Sequence, residues 1–323
     1  MSTTPDARAA FCFPGQGSQT VGMGRLVHEA SPEARATFEE ASDALGEDVA
    51  RLCFEGPATA LQLTANTQPA VLTVSVAAAR ALAERGVAPA LVAGHSLGEY
   101  SALVVAGALP FADALRAVRR RGEFMQEAVP VGTGTMAAIL GVDLSVVEEI
   151  CREAAQGEIV EVANVNSPVQ VVVAGHRAAV ERAVALAAAR GGRRSVLLPV
   201  SAPFHCRLMA PAAARLQAVL AEVKLADPTV PVVRNVDAGL TTRAEDVVPF
   251  LIRQVTAPVR WMDSVVRMAR AGARSFLEVG PGAVLTGLLK RIDATLVGLS
   301  VEDAAGLDRA LAALGRGREG SRP

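Results

Sequence analysis

The run Gly94-His95-Ser96-Leu97-Gly98 carries the clearest chemistry in the chain. It follows an apolar segment, Pro89–Ala93, that reads as a short buried strand, and it precedes Glu99–Gly107, which has the composition of a buried helix start. The pattern G-x-S-x-G is cheap by itself in a chain with 28 glycines. A strand before it and a helix after it turn it into a nucleophile elbow. The glycines allow a tight turn, the serine sits at its tip, and the helix N-terminus beneath offers unpaired N–H donors. The plainer alternative is a glycine-rich turn whose serine caps the helix.

A nucleophilic serine needs a base within hydrogen-bond reach, and histidine is the usual one at neutral pH. The chain has four. His28 sits in a polar early segment and is expected to be exposed. His176 follows a strand at a turn into a helix, a cap or surface position. His95 neighbours Ser96, so its side chain should leave the elbow in another direction and pack beneath it. His205, in Ser201-Ala202-Pro203-Phe204-His205, lies in a loop before a helix, and elimination makes it the base. No carboxylate in the interval is well placed to orient it, so a dyad is expected, with an amide holding the ring.

The elements that must position these residues follow from apolar periodicity. Ala9–Phe13 reads as a first strand, and Pro14–Gln19 as a glycine-rich loop that can bring backbone N–H groups close to a ligand oxygen. It matches no phosphate-binding motif. Helices are expected at 32–46, 57–63, Gln68–Arg85 and Phe111–Glu127; the last carries Arg116, Arg119, Arg120 and Arg121, of which three should be ordinary surface residues. From 132 to 201 the pattern changes to strand Thr135–Val142, helix Ser145–Gln156, strands Ile159–Asn164 and Gln170–Ala174 about a turn at 166–168, helix Arg177–Arg190 and strand Ser195–Val200. That β-α-β-β-α-β order is ferredoxin-like. Beyond it, Arg207–Val223 reads as helical, Val230–Asn235 as extended, and Ala244–Gln254 and Val259–Ala271 as helical. A strand at Ser275–Val279, a helix at 283–291 and a strand at Leu296–Leu299 complete the reading, and the tail 315–323 reads as disordered. The expected architecture is an α/β main domain, 1–131 and 202–323, with a mainly parallel sheet and an inserted ferredoxin-like subdomain at 132–201.

At 323 residues with 51% hydrophobic and 20% charged residues, the chain has the composition of a folded protein with a sizeable core. A net charge of −1 gives no general attraction to nucleic acid or an anionic membrane. The N-terminus lacks a secretory signal, and no run of about 18 uncharged apolar residues occurs. Cys12, Cys53, Cys151 and Cys206 are scattered without metal-ligand spacing, so no metal or disulfide framework is implied and a reducing cytoplasm is the expected location. Cys206, beside His205, reads as a small packing residue.

Several segments together carry a resemblance. GQGSQ at 15–19, GHSLGEYSAL at 94–103, Arg121-Gly122, FMQEAVP at 124–130 and PFH at 203–205 belong to it, as do NSPxQVVVAGH at 166–176, RNVDA at 234–238 and EVGPGxVLTGL at 278–288. The chain closely resembles malonyl-CoA:acyl carrier protein transacylases of bacterial type II fatty acid synthesis over nearly its whole length. The resemblance implies an α/β domain with an inserted ferredoxin-like subdomain. It implies Ser96 as the acylated nucleophile and His205 as general base. Backbone N–H groups of Gln16 and Leu97 would form the oxyanion hole, and Arg121 would bind the malonyl carboxylate. The main-chain carbonyl of Gln254 would orient the histidine, in place of an acid. Phe204 is the variant associated with malonyl selectivity in related acyltransferase domains.

The partners so implied are malonyl-CoA and a holo acyl carrier protein. No cofactor is expected, since CoA enters as a leaving group and phosphopantetheine is carried by the partner. A monomer is expected, with no nucleic-acid or membrane partner. An acidic carrier would need a local basic patch, for which Arg193, Arg194, Lys290 and Arg291 are candidates beside a plain reading as scattered surface charge. Rival readings are an acyltransferase acting in trans on a polyketide synthase, a serine thioesterase or hydrolase, and a CoA- or carrier-binding scaffold. Arg121 speaks against the hydrolase, because generic esterases need no buried cation for their acyl group. The scaffold would require Ser96 to be dispensable.

Overall fold

The computed structural model describes residues 9–319. In chain order the elements are β1 (Ala9–Phe13), α1 (Arg25–Ala30), α2 (Pro32–Leu45), α3 (Val49–Glu55), α4 (Ala58–Leu61), α5 (Thr64–Glu84), β2 (Leu91–Gly94), α6 (Gly98–Val105) and α7 (Phe111–Glu127). Then come β3 (Gly134–Leu140), α8 (Leu144–Ala155), β4 (Val160–Ser167), β5 (Gln170–His176), α9 (Arg177–Ala189) and β6 (Arg194–Leu197). The last stretch holds α10 (Ala210–Ala221), β7 (Val232–Val233), β8 (Leu240–Thr241), α11 (Ala244–Thr256), α12 (Trp261–Arg270), β9 (Ser275–Val279), α13 (Val284–Ile292), β10 (Val297–Val301) and α14 (Ala304–Glu319).

The larger sheet has the order β10-β9-β1-β2-β7-β8 and is parallel except for the β7–β8 pair. Its inner strands β1 and β2 are buried along their whole length, as strands covered by helices on both faces must be. Helix α5 packs between α2 and α7 and is apolar nearly all round, which suits a helix buried on every side. The parallel pairing of β1 and β2 puts the loop after Phe13 and the turn after Gly94 at the same sheet edge. Carboxyl ends of parallel strands are where open α/β sheets bind ligands.

The second sheet, β4-β5-β3-β6, is antiparallel at every neighbouring pair. Since β3 and β4 are both antiparallel to the β5 strand between them, they are parallel to each other, joined through α8 as a split β-α-β unit. Helices α8 and α9 cover one face with an apolar cluster that includes Ile139, Val147, Ile150, Val173 and Val180. The other face presents Met136 and Asn164 to the cleft described below.

Several elements differ from the sequence reading. Strand β4 runs on to Ser167 and leaves only Pro168-Val169 for the turn, because irregularities at Val162/Asn164 and Val165/Ser167 keep it paired to β5. Helix α12 starts at Trp261, not Val259, because Val259 donates to the Ala163 carbonyl and accepts from the Val165 N–H (2.9 Å each), which holds it extended against β4. Helices α1 and α3 and the short strand β8 carry too few residues to show a period. The tail is helical through Glu319: Leu307, Ala310 and Leu314 share one buried face of α14, and the helix continues past them. Residues 320–323 of that tail lie outside the described residues.

Among the described residues no helix is long and apolar enough to cross a membrane, and no group of three His, Cys, Asp or Glu side chains could hold a metal ion.

Candidate active site

Ser96 occupies the turn between β2 and α6 with φ 53°, in the left-handed region that side chains rarely enter. Such a conformation costs about 1–3 kcal/mol and persists only where its surroundings hold it. The flanking glycines let the turn close. A Cβ on Gly94 would lie 1.9 Å from the Gly98 carbonyl carbon, and one on Gly98 would lie 2.1 Å from the Phe13 carbonyl oxygen at the end of β1. The peptide groups of Ser96 are gripped on both sides. Its N–H donates to Asn235 Oδ1 (2.7 Å), and its carbonyl accepts from Gln254 Nε2 (2.9 Å).

The Ser96 hydroxyl lies 2.7 Å from His205 Nε2, and His205 Nδ1 lies 2.9 Å from the main-chain carbonyl of Gln254. A carbonyl can only accept, so Nδ1 carries the proton and Nε2 is free to accept the one from Ser96. His205 is buried and also left-handed, at φ 60°. Burial, followed by the positive charge of Arg121, pushes its pKa down from 6.5 to about 3. The imidazole is therefore neutral at pH 7, the form a base must have.

Arg121 is 2% exposed, whereas Arg116 and Arg120 on the same helix pair with Asp113 and Glu123 at the surface. Arg119, expected at the surface, is half-buried and bonds Asn66 and Glu47. What brings α7 close enough for Arg121 to reach the site is the glycine after it. A Cβ on Gly122 would sit 2.7 Å from Ala65 Cα at the start of α5. The guanidinium donates from Nη1 to Gln68 Oε1 (2.9 Å) and from Nη2 to Ser96 Oγ and Gln254 Oε1 (3.0 Å each), while Tyr100 presents its ring 5.6 Å away. Its Nε has no partner among the described residues. Burial lowers the pKa of Arg121, yet a guanidinium stays charged in proteins. A buried cation with no paired carboxylate among the described residues, beside the Ser96 hydroxyl, is fitted to receive one.

Gln16 and Leu97 both line the cleft, and the main-chain N–H of neither donates to another described residue. The Gln16 side chain donates to Thr64 Oγ1 (3.2 Å), which fixes the loop after β1 against α5. The cleft has a cavity volume of about 110 Å³, a few water molecules' worth, and its lining includes the apolar Met125, Met136, Leu198, Val200 and Phe204 beside the amides Gln68 and Asn164. That space suits a short acyl group.

The other expected positions are distributed as follows. His95 points away from Ser96 and bonds Asn166 Oδ1 (2.9 Å) beside the Trp261 ring. His28, expected to be exposed, is half-buried edge-on to the rings of Phe38 and Phe54, because α2 and α3 pack against it. His176 accepts the Ile159 N–H (2.9 Å). Cys206 is fully buried with its thiol pushed up to about 12, which leaves it inert at neutral pH. Arg193, Arg194, Lys290 and Arg291 are all exposed. The sequence reading gave no role to Glu99, Asn235, Gln68 or Asn166. Glu99 and Asn235 stand inside quoted motifs, GHSLGEYSAL and RNVDA, and a charged or amide residue within an otherwise apolar buried stretch was the available signal.

Comparison with known proteins places the chain. The model of the acyl transferase domain family matches residues 10–313. The malonyl CoA-acyl carrier protein transacylase of Escherichia coli (strain K12) is 52% identical over 303 residues, 94% of this chain and 98% of that protein. The chain belongs to this acyl transferase family. The Bacillus subtilis (strain 168) transacylase is 45% identical over 309 residues, 95% of this chain and 98% of its own. Among solved structures, the acyl-carrier-protein S-malonyltransferase of Burkholderia pseudomallei 1710b superposes on this family member with TM-score 0.92 at 50% identity, covering 94% of this chain and 99% of that one. A malonyl-transacylase solved in complex with a type II PKS acyl-carrier protein superposes with TM-score 0.93 at 49% identity, covering 95% and 99%.

Proposed function

We propose that the protein transfers a malonyl group from malonyl-CoA to the phosphopantetheine thiol of an acyl carrier protein through a malonyl-Ser96 intermediate, supplying extender units for fatty acid synthesis. The observation that carries this reading is Arg121: a buried guanidinium 3.0 Å from the nucleophilic oxygen, with donor capacity to spare. The similarity to named transacylases along almost the whole chain supports it.

Ser96 Oγ gives its proton to His205 Nε2 and attacks the thioester carbonyl. The resulting oxyanion is met by the N–H groups of Gln16 and Leu97, a kind of donor worth about 2.7–4 kcal/mol each. The C–S bond then breaks, and the imidazolium returns its proton to the CoA thiolate. The carrier thiol enters the vacated cleft, loses its proton to His205 and attacks the acyl-serine. The C–O bond to Ser96 breaks as the imidazolium returns the proton to Ser96 Oγ, so the two half-reactions share one covalent intermediate and restore the enzyme.

Arg121 links selectivity to the base. A carboxylate bound to the guanidinium neutralises the charge that, after burial, most depresses His205. A malonyl group thereby restores basicity to the imidazole as the serine must be deprotonated, whereas an acetyl group leaves the cation unpaired. The apolar wall keeps the acyl-serine from water until the thiol arrives, which is what separates a transferase from a thioesterase. The carrier is acidic in this reading and docks against exposed cations such as Arg193, Arg194, Lys290 and Arg291.

The test is intact-protein mass after mixing with malonyl-CoA, then after adding a carrier bearing phosphopantetheine, with Ser96→Ala beside it. A malonyl adduct on wild type that is absent from Ser96→Ala and moves to the carrier is the expected result. Release as free malonate with the carrier untouched would make the protein a hydrolase. Running fatty-acid and polyketide carriers in parallel distinguishes the second reading, a polyketide-serving transferase, by which carrier is loaded faster.

A further inference from the structure

Glu99 is the second residue of α6, 3% exposed, and forms no ion pair with a described residue. Burying an unpaired carboxylate is costly, and here burial pushes its pKa from 4.5 up to about 7. A residue so unfavourable for stability has another use, and its bonds show which. One oxygen, Oε2, accepts both the main-chain N–H of Asn235 (3.1 Å) and Nε2 of Gln254 (2.8 Å).

Those two residues between them bond Ser96, His205 and Arg121. Asn235 uses Oδ1 to take the Ser96 N–H and Nδ2 to bond the Gly94 carbonyl (2.6 Å), bracketing the elbow. Gln254 bonds the Ser96 carbonyl and offers Oε1 to Arg121, and its main chain holds His205. Their direct contact, Gln254 Nε2 to Asn235 Oδ1, is long at 3.4 Å. The Glu99 oxygen is the junction that ties them.

We infer that Glu99 is a positioning residue of this site, whose carboxylate oxygen fixes Gln254 and Asn235 so that Arg121 faces the acyl carboxylate and Ser96 keeps its left-handed turn. The inference rests on the acyl-transfer reading. It assigns the hydrogen-bond acceptor, not the charge, as what matters. Glutamine at this position keeps an acceptor oxygen; methionine keeps the length and loses it.

The experiment is single-turnover acylation of wild type, Glu99→Gln and Glu99→Met by malonyl-CoA and by acetyl-CoA, followed by intact mass. The expected result is a ~10–100-fold loss of malonyl acylation in Glu99→Met, with the malonyl-over-acetyl preference narrowed ~10-fold and most of both recovered in Glu99→Gln. A residue that merely supports the fold would lower both acyl donors alike and leave the preference untouched, and that result overturns the inference. So does a Glu99→Gln variant as impaired as Glu99→Met. Should Glu99→Met fail to fold, Glu99→Asp keeps the charge and draws the acceptor oxygen back by one methylene from Gln254 and Asn235. A narrowed preference there supports the inference, and an unaltered one overturns it. If wild type takes no acyl group at all, the acyl-transfer reading itself fails, and that is visible before any variant is compared.

Discussion

On the wall that the parallel sheet supplies, the polar groups are bonded in series: Arg121 to Ser96, Ser96 to His205, His205 to Gln254, and Gln254 to Glu99. On the facing wall, from β3, β4 and the stretch after β6, Met136, Leu198 and Val200 meet the cleft with apolar surface, with Asn164 of β4 beside them. Asn166 reaches across from that side, to His95 and not to the dyad. The first wall fixes each group through two or more partners, and a shift in one is resisted by the rest. The second wall offers mainly a shape. Geometry for bond-making sits on the over-determined side, and the limits on what is accepted are shared between one cation and an apolar surface.

The comparison breaks most visibly at Ser96. Ser96→Ala is expected to lower malonyl transfer by ~10⁴-fold or more, since nucleophile and base act as a unit and losing one forfeits most of what both supply. A stopped assay with a loaded carrier as product reads it. Residual transfer above a hundredth of wild type would mean that the serine is not the acyl carrier.

Arg121→Ala comes next. Losing a charge-assisted contact to a carboxylate is expected to cost malonyl acylation ~100-fold. Acetyl acylation should hold or rise, because the cation that depresses His205 is gone. Competition between the two CoA esters measures it directly. A preference equal to wild type would place the carboxylate elsewhere.

A third effect concerns pH. His205 is held near 3 against 6.5 unfolded, so its share of stability is complete above 6.5 and is lost as pH falls toward 3. Glu99 is raised to about 7 from 4.5, so its share is present below 4.5 and is lost as pH rises through 7. The two slopes oppose each other between 4.5 and 6.5. Glu99→Gln removes one of them, and its stability should gain on wild type by on the order of 2 kcal/mol between pH 5 and pH 8, at about 1.4 kcal/mol per pKa unit. Urea midpoints at the two pH values give the answer. A difference that does not move with pH would mean that Glu99 titrates alike in folded and unfolded chains.

Much of the first wall was legible from the chain alone because its signals are local. An apolar strand, two glycines and a helix start frame Ser96, and elimination among four histidines leaves His205. Arg121 comes only through the resemblance, and its burial shows in the fold, where Gly122 lets α7 approach α5. The holders were harder to see. Asn235 and Glu99 meet across 136 residues of sequence, and nothing in either segment points to the other. The extended Val259 was missed for the same reason, since its pairing with β4 is a tertiary bond that overrides a helical composition. The helical tail was missed differently: its charged and glycine-rich end concealed the Leu307, Ala310 and Leu314 stripe that docks the helix.

The facing wall offers the mildest change and the sharpest contrast. Leu198 is half-buried and its N–H bonds the Met136 carbonyl (2.9 Å), a main-chain bond that Leu198→Ala leaves intact. Shortening it widens the cleft without touching any bonded group on the other wall. Malonyl acylation should stay within ~3-fold of wild type, while a methyl-branched malonyl group should be accepted ~10-fold better, since one methylene in an apolar pocket is worth about 1–3 kcal/mol of discrimination. Competition between the two esters, followed by acyl-enzyme mass, reads the ratio. Were malonyl acylation to collapse as far as in Arg121→Ala, the second sheet would be part of the bonded machinery, and the division between a reacting wall and a shaping wall would be wrong.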